Sequence, residues 1–236
     1  MSRIGDTIRR LHSSLPAGVE LVAVSKFHPA EAIREAYDAG QRIFGESRVT
    51  ELCDKIAVLP DDIRWHFIGH LQTNKVKHLI GRCSLIESVD STRLLELIDT
   101  LSERAGVVTR VLMQLHVAAE ETKFGFTPDE LVAWFADGGY RRLKATHICG
   151  LMSMATNTDD RGRVAADFTL TAATRRRILD AAPDLTGFDT LSMGMSDDYD
   201  LAIAEGSTMI RIGTSIFGDR QEQGGAHCAV KQNDHY

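Results

Sequence analysis

The chain has 236 residues, 43% of them apolar and 25% charged. That is ample material for a packed core and excludes disorder over the whole chain. Lys and Arg number 27 against 33 Asp and Glu, a net charge of −6, which speaks against general nucleic-acid or anionic-membrane binding. The opening MSRIGDTIRR has no apolar signal core, and no run approaches the 18 or so apolar residues of a membrane span. Cysteines 53, 83, 149 and 228 match no zinc or disulfide spacing. They read as thiols of a reducing, cytoplasmic compartment.

In chain order, short apolar runs alternate with longer amphipathic stretches. Residues 2–14 read as an opening helix. VELVAVS (19–25) is a first strand, followed by a helix over 29–40 with Pro29 at its start and Gly40 as its stop. QRIFG (41–45) is a second strand and 47–59 a helix. RWHFIG (64–69) is a third strand and 72–80 a helix. SLIESV (84–89) is a fourth strand, with a helix over 91–105 capped near Ser91. VVTRVLMQLHV (107–117) is a fifth strand. The helix 127–137 that follows carries a capping box, Thr127 with Glu130, and Pro128 in its first turn. RLKATHICGLM (142–152) holds a sixth strand and 161–182 a long helix, whose Arg175–Arg176–Arg177 run reads as a solvated face. DTLSMG (189–194) is a seventh strand, 197–206 a helix, and TMIRIG (208–213) an eighth strand with no clear helix behind it.

Near-continuous apolar strands alternating with helices argue for a parallel sheet covered on its outer face. Eight such units in this length favour a closed (β/α)₈ TIM barrel over an open doubly wound sheet. No linker interrupts them, so residues 1–218 read as one domain. Residues 219–236 are polar and aperiodic and read as a flexible C-terminal tail. In that tail, Cys228 with His227 and His235 is a weak metal pattern, and no metal is expected.

Active sites of such barrels lie at the C-terminal ends of the strands, so polar residues there carry the chemistry. Lys26 directly follows the first strand. At a barrel mouth a poorly hydrated amine can form a Schiff base with an aldehyde; the bland alternative is a solvated lysine opening a loop. Two consecutive strand ends, Gly194–Met195–Ser196 and Gly213–Thr214–Ser215, combine glycine with hydroxyls. The loops after strands 7 and 8 commonly make a phosphate site in these barrels. Asp197 and Asp198 resist that reading, so a phosphate would approach from the Ser196 side. Arg211 interrupts TMIRIG. It either meets a polar ligand in the mouth or snorkels at the rim, since a buried unpaired guanidinium is too costly. The methionines at 152, 154, 193 and 195 read as barrel-top packing. An amine, a phosphate cup and a guanidinium together suggest pyridoxal 5′-phosphate (PLP).

LVAVSKFHPAEAIREAYDAGQRIFGE (21–46), WHFIGHLQTNK (65–75), KFGF (123–126), GLMSMA (150–155) and LSMGMSDDYDLAIAEGSTMIRIGTSIFG (191–218) run nearly the length of the chain. In these blocks the sequence resembles the pyridoxal phosphate homeostasis proteins, relatives of the N-terminal barrel of alanine racemase. The resemblance implies that Lys26 is the aldimine lysine, that Ser196, Gly213 and Thr214 bind the cofactor phosphate, and that Arg211 faces the pyridine nitrogen. It places His66 and Ser192 near the cofactor. Ser47 falls where the family has an asparagine lining the site, and Arg48 where it has a tyrosine, so the polar contact at 47 is altered in this chain.

Three functions share this constellation: a non-enzymatic PLP carrier serving cofactor homeostasis, a PLP-dependent amino-acid racemase, and a Schiff-base aldolase without PLP. The order and length of the resemblance disfavour the aldolase. A two-base racemase needs a proton donor on each face of the cofactor. The relatives take one from an added C-terminal domain, for which the last 18 residues of this chain leave no room. The carrier is therefore the expected function, with the racemase as the alternative. Free amino acids and apo forms of PLP enzymes are the expected partners, and the expected state is a monomer.

Overall fold

The computed structural model describes residues 2–118 and 124–218. Its strands are β1 (Glu20–Val24), β2 (Ile43–Glu46), β3 (Arg64–Phe67), β4 (Leu85–Val89), β5 (Thr109–Leu115), β6 (Thr146–Ser153), β7 (Thr190–Ser192) and β8 (Met209–Ile212). Its helices are α1 (Arg3–Ser14), α2 (Ala30–Asp38), α3 (Val49–Ile56), α4 (Thr92–Ala105), α5 (Pro128–Ala136), α6 (Arg161–Ala181), α7 (Tyr199–Ala204) and α8 (Thr214–Phe217). The strands pair in parallel and in sequence order, and β8 returns to β1 to close the barrel, with Val22 opposite Arg211.

Local chemistry accounts for most element boundaries. Ser2 accepts from the Gly5 N–H to cap α1, Ser91 from Leu94 to cap α4, and Asp160 from Gly162 and Arg163 to cap α6. The Thr127–Glu130 capping box opens α5 as expected. Two expectations change. The segment expected as a helix at 72–80 is a 3₁₀ helix, Thr73–His78. Thr, Asn and Val are weak helix formers, and Val76 is its one buried residue, so little favours the longer α form. The eighth strand does have a helix behind it, the single turn α8, too short for its periodicity to register in sequence. The arginine run is also less free than expected: Arg175 donates to the Phe188 carbonyl and Arg177 pairs with Asp129 on α5.

Period-two alternation along the strands separates two cores. One face packs on the helices through Phe44, Phe67, Ile86, Leu151 and Ile210, all fully buried. The other fills the barrel with Val22, Ile43, Leu85, Leu112, Cys149, Met152 and Met209. Between β5 and β6 the register slips by one residue at Cys149. Gly150 follows at φ +152°, and a Cβ there would lie 1.9 Å from the Thr190 carbonyl oxygen on β7. Only glycine lets the two strands close at this bulge.

Among the described residues the eight strands form a single closed barrel. The expected tail, 219–236, with its cysteine and histidines, lies outside them. No helix among the described residues is long and apolar enough to cross a membrane.

Candidate functional site at the barrel mouth

The C-terminal ends of β1, β6, β7 and β8 surround a cavity of about 290 Å³. Lys26, Ser196, Arg211, Gly213 and Thr214 all line it. Residues drawn from three separate stretches of sequence therefore meet in one place. Met152, Met154 and Met195 add an apolar wall, and His28 and Asp197 complete the polar lining. His28 stacks on Phe217 at 5.0 Å. Burial and the nearby Lys55 charge pull its pKa below the usual histidine value, against an opposing pull from Glu51.

Glycine geometry makes the β7 and β8 ends. Gly194 stands at φ +96°, where a Cβ would come within 2.6 Å of the Ala202 Cβ and 2.9 Å of the Tyr199 Cα. That close approach folds α7 back over its strand and presents Ser196 to the cavity. Asp198, the acidic residue that resisted the phosphate reading, has Oδ1 turned onto the Met195 N–H at 2.5 Å. At β8 the Gly213 carbonyl accepts from Ile216 and Phe217, starting α8. A Cβ at Gly213 would meet the Val24 oxygen at 3.2 Å and the Val24 Cβ at 3.3 Å. The bare backbone there forms a cradle, and first-turn N–H groups of a helix have no intrahelical acceptor.

Arg211 does meet polar partners rather than snorkelling. It is 4% exposed, donates from Nη1 to Ser192 Oγ (2.6 Å) and from Nη2 to the Ser153 carbonyl (2.8 Å). Ser192 in turn donates to Glu87 Oε2 (2.6 Å), and His66 Nδ1 lies 2.7 Å from Glu87 Oε1. Arg211 and Glu87 are 3.8 Å apart. Burial would raise the Glu87 carboxyl. The bond from His66, the charges of His66 and Arg211 and the bond from Ser192 outweigh it and hold the group below the ordinary carboxylate value. Burial likewise lowers Arg211, opposed by Glu87 and Asp198, yet a guanidinium stays protonated in such a setting. Ser192 and His66 thus stand behind Arg211 inside the barrel, and neither lines the cavity. Ser47 does not line it either; its backbone packs against Gly69, where a Cβ would lie 2.3 Å from the Ser47 oxygen.

A second buried cluster lies beneath Lys26. Lys55 Nζ donates to Glu46 Oε1 (2.7 Å), Glu51 Oε1 (2.8 Å) and the Ser25 carbonyl (2.8 Å). Ser25 Oγ donates to Glu46 Oε1 (2.6 Å), and the Phe27 N–H to Glu51 Oε1 (2.6 Å). Burial raises the Glu46 carboxyl above its ordinary value, against the attraction of Lys55 and the bond from Ser25. Arg48 lies over the Phe27 ring, 4.6 Å from its centroid, a cation–π contact.

Sequence reasoning missed Glu87, Glu46, Glu51, Lys55 and His28. A signal existed for two of them. Glu87 interrupts LIESV and Glu46 ends IFGE, as Arg211 interrupts TMIRIG, and a buried charge demands a partner.

The family described as alanine racemase, N-terminal domain, matches residues 1–221. The pyridoxal phosphate homeostasis protein of Schizosaccharomyces pombe is 40% identical over 207 residues, 86% of this chain and 84% of its own. That of Aquifex aeolicus is 36% identical over 231 residues, 94% and 97% of the two chains. The chain belongs to the pyridoxal phosphate homeostasis protein family. Among solved structures, PipY of Synechococcus elongatus PCC7942 with PLP bound superposes with a TM-score of 0.83 at 39% identity, over 91% of this chain and all of PipY. Alanine racemase from E. faecalis, at 18% identity and a TM-score of 0.69 over 92% of this chain, shares the fold. The barrel seen here is the one this family has in common with alanine racemase.

Proposed function

We propose that this chain binds pyridoxal 5′-phosphate at the barrel mouth and serves the intracellular homeostasis of that cofactor as a carrier. The observation that carries this reading is the convergence of an amine, two hydroxyls, a glycine cradle and a buried guanidinium on one cavity of about 290 Å³. The donor set fits the group. The Gly213 cradle with the Ser196 and Thr214 hydroxyls would hold the phosphate, and Arg211 would face the ring nitrogen. When bound, the cofactor would supply an aldehyde, and Lys26 is the amine that lines the cavity to meet it. Ser192, Ser153 and Glu87 keep the guanidinium in register, and His66 acts on it through Glu87. Because Arg211 holds its own protons, it would hydrogen-bond the ring nitrogen without protonating it, which would disfavour transamination and decarboxylation. Family membership supports the homeostasis role.

Free amino acids fit as small-molecule partners, and apo forms of PLP-dependent enzymes as recipients. A monomer in the cytoplasm is the matching state, consistent with free thiols at Cys53, Cys83 and Cys149. The test begins with borohydride reduction of the PLP-loaded protein. A pyridoxyl group should appear on Lys26 by peptide mass spectrometry, and Lys26→Ala should lose the visible absorption band. The loaded protein is then incubated with L-alanine in D₂O. A carrier leaves the α-proton in place, whereas α-deuteration and D-alanine at ordinary enzyme rates of ~1–10³ s⁻¹ would replace the carrier with a racemase.

A further inference from the structure

We infer that Glu51 and Lys55 on α3, with Glu46 on β2, are positioning residues for Lys26: together they lock the backbone turn that aims its amine into the cavity. The inference rests on the proposed role of Lys26. Three hydrogen bonds of the cluster fall on the two residues flanking that lysine. Ser25 is held through both its hydroxyl, by Glu46, and its carbonyl, by Lys55. Phe27 is held through its N–H, by Glu51. Phe27 is also the one non-glycine residue at positive φ among the described residues, at +68°. Left-handed backbone is unfavourable for a bulky side chain and persists only where its surroundings impose it. Glu51 and Arg48 impose it here, one on the amide and one on the ring.

Stability alone gives no reason for such a cluster. Glu46 is fully buried, Lys55 is 8% exposed, and Glu46 Oε2 is a buried oxygen with no hydrogen-bond partner. Two carboxylates share one ammonium, an arrangement for which apolar packing is usually as good or better. What apolar residues cannot do is accept a bond from the Phe27 N–H while donating one to the Ser25 carbonyl. Sequence separation makes the logic visible: residues 46–55 supply the clamp, and residues 25–27 receive it.

The experiment separates attachment at Lys26 from binding in the phosphate cradle. PLP reacts with the amine, whereas pyridoxine 5′-phosphate, which has an alcohol for the aldehyde, can only bind. Attachment is followed by the visible band on mixing and by borohydride labelling of Lys26. Glu51→Ala should slow attachment by roughly 10- to 100-fold, the scale of a misplaced reacting group. Its affinity for pyridoxine 5′-phosphate should stay within about threefold of wild type, less than one lost charged hydrogen bond would cost. Glu51→Gln keeps an acceptor for the Phe27 N–H and should recover most of the rate. Should Glu51→Ala not fold, Glu51→Asp draws the acceptor back while keeping the charge beside Lys55, and the same slowing is expected. Unaltered attachment in Glu51→Ala, or in Glu51→Asp where it stands in for it, overturns the inference, and so does an equal loss of both ligands, which would mark a merely structural cluster. A wild-type protein that is never labelled at Lys26 refutes the reading of the site itself, and the inference with it.

Discussion

Replacing Glu87 by glutamine removes one negative charge from the centre of the barrel and little else. Glu87 is fully buried, accepts hydrogen bonds on both oxygens from His66 and Ser192, and faces Arg211 across 3.8 Å. Gln keeps the shape but leaves the Arg211 guanidinium, itself 4% exposed, without its counter-charge. Breaking a buried pair on one side costs about 3–5 kcal/mol. At about 2–4 °C per kcal/mol for a domain of this size, melting should fall by roughly 6–20 °C. Acid sharpens the test. The Glu87 carboxyl sits below its ordinary value in the folded protein, so the unfolded chain takes up the proton first as pH falls. Its stabilisation is complete above the unfolded value of about 4.3 and is lost as pH drops through the folded value. Urea titrations of both proteins between neutral and acid pH measure the difference directly. The gap should be widest at neutral pH and narrow in acid. A neutral-pH gap of about 0.5 kcal/mol or less, the range of ordinary surface changes, would refute the ion-pair argument.

The phosphate cradle predicts a graded pair of variants. Ser196→Ala should weaken PLP binding by about 1.5–3 kcal/mol, one charged hydrogen bond, or roughly 10- to 150-fold in Kd by equilibrium titration. Gly213→Val should be worse, because its side chain fills the cradle and its Cβ already meets Val24 at 3.2–3.3 Å; unchanged affinity in both would move the phosphate elsewhere. Gly150→Ala tests the fold alone. With a Cβ 1.9 Å from the Thr190 oxygen, β6 and β7 must part, and a loss of about 3 kcal/mol or more is expected in the same urea titration; a neutral effect would show that the bulge is not strained.

Much of the barrel could be read from local signals. Strand identity followed from apolar runs such as VELVAV and TMIRI, and helix starts from Ser91 and Thr127, because caps and periodicity act within a few residues. The same local rules overreached at 72–80, where spacing alone could not separate a 3₁₀ turn from an α-helix, and fell silent at α8, a single turn. Lys26, Ser196, Gly213 and Thr214 were legible because strand ends in a parallel barrel share one rim, so counting strands located the mouth. The resemblance then gave those residues their expected roles. His66, Ser192 and Ser47 carried expected roles too; the fold places the first two behind Arg211 and the backbone of the third against Gly69.

What only the tertiary structure decided was which charge meets which. Nothing between residues 87 and 211 tells Glu87 that its counter-charge is Arg211; barrel closure brings them together. Nothing in DKI tells Lys55 that it will sit between Glu46 and Glu51 under the backbone of residue 25. Patterning reports the environment that each residue needs, because burial and periodicity are properties of short stretches. Pairing is a property of folded distance, and a buried charge in a sequence states only that a partner must exist. The sequence alone therefore determined the elements, their order and the rim on which the chemistry sits. The fold determined how the charges are compensated and how the Lys26 turn is held, since both depend on contacts between residues far apart along the chain.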